Sequence, residues 1–146
     1  MNHKRKIAQG TYIFLFITII SIFFCCAPKD PAEIASTLAQ EWTSKNVDGV
    51  SRSIAGLVAN SNPLIETAIT MVIAKEINQR ITWQYSQPEK LAEERYRVIT
   101  TASSIVEIPL LGSYKVSVNY NLEIDTRSRQ VTSANMDAGS FAMGRQ

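Results

Sequence analysis

The apolar period of this chain changes once, and that change dictates its fold class. From Pro31 to Arg80 apolar residues recur three or four apart, whereas from Ile81 onward they recur every second residue. The first spacing lines one face of a helix and the second one face of a strand, so helices precede strands. The cleanest stretch is Tyr114 to Asp125. There Tyr114, Val116, Val118, Tyr120, Leu122 and Ile124 point one way, and Lys115, Ser117, Asn119, Asn121, Glu123 and Asp125 the other. Such alternation belongs to an antiparallel sheet with one face on a core and the other in water.

The helical part divides at its polar residues. Asp30, Pro31 and Glu33 form a start signal, and Ile34, Leu38 and Trp42 follow at every fourth position, predicting a helix from Pro31 to Lys45. Asp48 is a cap for a second helix carrying Val50, Ile54, Leu57 and Val58, closed by Asn60, Ser61, Asn62 and Pro63. A third is expected from Leu64 to Arg80, with Ile65, Ile69, Val72, Ile73 and Ile77 on one stripe. Strands are expected around Ile81 to Tyr85, Tyr96 to Ile108, Tyr114 to Asp125 and Gln130 to Met136. The expectation is therefore an α+β domain over residues 27–137, about three helices packed on a curved antiparallel sheet of about four strands, with 138–146 as a flexible tail. The order of elements resembles cystatin-like and nuclear-transport-factor-like folds, a likeness of architecture that implies no activity.

The N-terminal segment gives an address. Lys4, Arg5 and Lys6 precede a 22-residue stretch without a charged side chain, and Tyr12 to Phe24 is almost wholly apolar. A helix needs roughly 20 such residues to cross a bilayer, while a shorter apolar block behind a basic start also suits an export signal. Either way the basic end favours the cytoplasm and Pro28 onward the far side. Cys25 and Cys26, the only cysteines, close the run before Ala27 and Pro28. Apolar run, then cysteine, then a small or polar start resembles the signal of bacterial lipoproteins. The resemblance covers residues 1–26 and implies acylation at Cys26, with Cys25 the second choice. It departs from the family pattern at Phe23 and Phe24, where smaller or leucine side chains are usual. An uncleaved anchor is the alternative. Two acyl chains hold stably where one is marginal, each buried CH₂ contributing about 0.8 kcal/mol.

Without that segment the chain is chemically quiet. Three of its 15 basic residues, its only histidine (His3) and four of its five phenylalanines lie there. The remainder carries 12 basic against 13 acidic residues, so nothing argues for nucleic acid as a partner. Imidazole-dependent catalysis and His/Cys zinc sites lack their residues beyond Cys26, and no glycine-rich phosphate loop occurs. No catalytic group, metal or cofactor is expected.

Two candidates remain. Glu123 and Asp125, two apart on one strand face, could act as a carboxylate pair in a small envelope enzyme. Trp83, Tyr85 and Tyr96 are candidates to line a ligand cleft between helices and sheet. The leading expectation is a membrane-anchored, extracytoplasmic domain with a non-catalytic binding or structural role in the cell envelope. Its partners would be the membrane and an envelope protein or small ligand.

Overall fold

The computed structural model describes residues 29–61, 65 and 67–146. The signal or anchor segment, Cys25, Cys26, Asn62 to Leu64 and Glu66 lie outside the described residues. Residues Met1–Asp30 and Pro31–Gln146 separate as two units, and the second carries the fold described below.

Among the described residues two helices replace the three expected over residues 27–137. Helix α1, Pro31–Ser61, runs unbroken for 31 residues, about 46 Å at the usual rise. The break expected near Asp48 does not occur, because the capping-type residues turn their side chains onto the helix's own carbonyls. Asn46 Nδ2 donates to Trp42 O (2.8 Å), Ser44 Oγ to Glu41 O (2.8 Å) and Ser53 Oγ to Gly49 O (3.0 Å). Back-bonding of this kind lets a residue that favours caps sit inside a helix. One stripe of α1, comprising Ala35, Ala39, Thr43, Val50, Ile54 and Val58, is buried. Helix α2, Thr67–Arg80, packs against α1 and the sheet through buried Ile73 and Ile77, leaving Met71 and Val72 exposed. Its apolar face is thus narrower than the sequence stripe, which included Val72.

The sheet has five antiparallel strands: β1 (Thr82–Tyr85), β2 (Glu89–Ala92), β3 (Arg95–Ile108), β4 (Gly112–Asp125) and β5 (Gln130–Arg145). Its order is β1-β3-β4-β5, and β2 also pairs with β3, so β1 and β2 follow one another along the same edge. Gln87 and Pro88 break what would otherwise be one strand. Ser86 bridges the gap: its N–H donates to Ile99 O (2.8 Å) and its Oγ accepts from Ile99 N (3.0 Å). The β3–β4 hairpin is the regular centre, paired without a slip from Arg95↔Asp125 to Ile108↔Gly112. Its turn places Leu110 (φ 69°) and Gly112 (φ 98°) in the left-handed region. Glycine has no Cβ penalty at such a φ.

Residues 138–146 are not a tail. Strand β5 continues to Arg145 and pairs with β4 as far as Tyr114↔Arg145. Between Asn119↔Asp137 and Ser117↔Ala142 it makes a wide excursion. Ser140 Oγ accepts from Asn119 N (2.8 Å) and donates to Asp137 O (2.6 Å), satisfying polar groups that the excursion removes from the ladder. The alternation along β3 and β4 buries Tyr96, Val98, Val106, Val116, Val118, Leu122 and Ile124 on the helix side.

Candidate functional site

Trp83, Tyr85 and Tyr96 all lie on the core-facing side of the sheet, opposite or beside buried positions of β3, yet they do not enclose a cleft together. Trp83 pairs with Ala102 and packs half-buried on the core, Tyr85 pairs with Thr100, and Tyr96 is 8 % exposed. Tyr85 is 37 % exposed, and its hydroxyl meets Thr43 Oγ1 at 2.8 Å, pinning α1 to the edge of the sheet. Beyond it Trp42 tilts onto Tyr120, ring centroids 5.8 Å apart at 47°, a geometry that adds packing beyond area burial. None of Trp83, Tyr85 and Tyr96 lines the grooves described here, which run along the α1–α2 seam, beside Arg80 and Lys115, and beside Trp42 and Arg129.

The helix–sheet interface is closed. Ile54, Val58, Ile73, Ile77, Val98, Val106, Val116, Val118, Leu122 and Ile124 are all at most 1 % exposed. Two hydroxyls inside it, those of Thr100 and Tyr120, have no hydrogen-bond partner among the described residues. Burial pushes the Tyr120 phenol above its ordinary pKa, and the nearby Ser53 hydroxyl opposes this weakly.

Glu123 and Asp125 share the outer face of β4, and Asp125 is engaged there. Glu123 stands opposite Arg97, whose guanidinium reaches Glu89 at 3.7 Å. Asp125 Oδ1 accepts from the N–H of Ser128 and of Arg127, at 2.9 Å each, shaping the turn into β5. The Ser128 amide, assisted by the Arg127 amide and the Arg95 guanidinium across the strand, holds the Asp125 carboxyl below its ordinary range. A carboxyl held ionised in this way is poorly suited to donate a proton. Among the described residues no group of three or more His, Cys, Asp or Glu could hold a metal ion.

The sequence reading did not single out the seam between the two helices. There Asp48, Ser51 and Arg52 of α1 face Lys75, Asn78 and Gln79 of α2 across a groove of about 450 Å³. Each trio has i, i+3, i+4 spacing, which places three side chains on one helix face, and that repeated spacing was the available signal. Asn78 Nδ2 donates to the Asp48 carboxylate, clasping the two helices. Ser51 is 1 % exposed. A second groove of about 330 Å³ adjoins the first, sharing Arg52 and Ala74 and adding Ala55, Thr70 and Met71.

Compared with known proteins, the chain matches no family model, no curated protein and no solved structure.

Proposed function

We propose that this protein is a membrane-tethered, extracytoplasmic domain of the cell envelope, acylated at Cys26, that works by binding through its surface rather than by catalysis. The observation that carries the non-catalytic reading is the closed helix–sheet interface. The aromatic residues that would have lined a substrate cleft there are spent on packing or on the Thr43–Tyr85 hydrogen bond. The rival reading, a carboxylate enzyme using Glu123 and Asp125, is weakened because Asp125 is committed to a turn.

The tether rests on the sequence of residues 1–26. Among the described residues no helix is long and apolar enough to cross a membrane. The uncharged stretch after Lys6 supplies the export signal, acyl chains on Cys26 supply the attachment, and the positive charges before the stretch put residues 27–146 outside. Protease added to intact spheroplasts tests the topology. Residues 31–146 should be digested or shed without lysis, and their survival until lysis would place the domain in the cytoplasm. For the non-catalytic part, Glu123→Gln and Asp125→Asn should leave any cellular role unchanged in a folded protein. Loss of that role with the fold intact would favour the enzyme.

A further inference from the structure

We propose that the α1–α2 seam binds a small organic carboxylate with an apolar body. The two adjoining grooves differ in chemistry and share the Arg52 side chain where they meet. At the polar end stand Arg52 and Lys75, neither in an ion pair among the described residues. Arg52 Nε donates to its own helix at Asp48 O (3.3 Å), leaving the terminal guanidinium nitrogens for a ligand. Ser51, 1 % exposed, lies at the floor beneath them.

One negative charge also lines this end. The Asp48 carboxylate already accepts the Asn78 amide, so the polar end holds two uncommitted cations against one committed anion. Charge therefore selects an anion. The other end selects its body: Ala55 and Ala74 form small apolar walls, and Met71, 73 % exposed, is an unbranched side chain able to fold over a hydrocarbon. A carboxylate at Arg52 and Lys75 with a short alkyl body toward Met71 uses both compartments at once. This proposal does not depend on the membrane tether.

The test is titration of the full chain, in nanodiscs of zwitterionic lipid, with hexanoate, acetate and hexylamine, followed by amide shifts. Hexanoate should bind saturably and at least about tenfold more tightly than acetate, because its added CH₂ groups leave water. It should perturb Ser51, Arg52, Ala74 and Lys75. Arg52→Gln with Lys75→Gln, both at exposed positions, should weaken hexanoate about tenfold or more, and Met71→Ala should narrow the gap between hexanoate and acetate. Arg129→Gln, outside the seam, should change nothing. The proposal is overturned if hexanoate does not saturate, if acetate binds equally well, if hexylamine binds better, or if the shifts map elsewhere. These wild-type outcomes stand even if a variant fails to fold.

Discussion

Helix α1 meets its surroundings in two contrasting ways. Toward the core it lays down Ala35, Ala39, Val50, Ile54 and Val58, none more than 3 % exposed, and this contact is sealed. Along its seam with α2 it presents Asp48, Ser51 and Arg52 to a polar trio on the other helix, and this contact stays open above its floor. The same helix therefore does two jobs. Small and β-branched residues let it close on the strands, because interiors pack at crystal-like density and leave few voids larger than a water. Polar side chains at i, i+3, i+4 add one clasp, Asn78 on Asp48, to the packing of Ile73 and Ile77 and leave room above it. Stability should accordingly respond strongly to changes in the first contact and weakly to changes in the second.

The largest effect should come from the sealed side. Ile54→Ala removes a fully buried side chain and should destabilise by about 2 to 5 kcal/mol, read as a lower urea midpoint with an unchanged slope. If the cost were only a few tenths, the interface could not be the closed contact described. Smaller and opposite in sign are the glycines of α1. A Cβ added at Gly49 or Gly56 meets nothing within 4 Å, so Gly→Ala at either should stabilise by about 1 kcal/mol. A loss at Gly49 would mean that α1 is not continuous there. On the open side, Ser51→Ala removes a hydroxyl that has no partner among the described residues and should be neutral or slightly stabilising, within about 0.5 kcal/mol. A clear destabilisation would show that Ser51 is bonded within the seam.

Asp125 gives a pH-dependent counterpart outside both contacts. Its folded pKa lies below the ordinary aspartate value, so its contribution is fully present above that value and is lost as pH falls through the folded pKa. Asp125→Ala should therefore be less stable than the parent at neutral pH, the two converging in acid. Urea midpoints at neutral and acidic pH check this, and a constant gap between the two would contradict it.

The sealed contact was largely legible in the sequence, and the open one was not. The alternation of β4 and the isoleucines of α2 are local patterns, and the structure buries Val116 to Ile124 and Ile73 with Ile77 as those patterns require. A helix end at Lys45 and a new cap at Asp48 are expected because the sequence does not reveal that Asn46 bonds back to Trp42. The end of β5 read as a tail for a related reason. Ser133 to Gly139 has no clean period, and its pairing with β4 across the excursion at Asp137 is a long-range fact, held by Ser140 on Asn119. The seam was hidden because its trios are 20 or more residues apart in the chain, each resembling an ordinary solvated helix face.

The proposed role also needs the segment that precedes this domain. The most direct measurement is the intact mass of protein extracted from membranes. The account predicts a species beginning at Cys26 and carrying acyl chains. A species beginning at Met1 without lipid would contradict it.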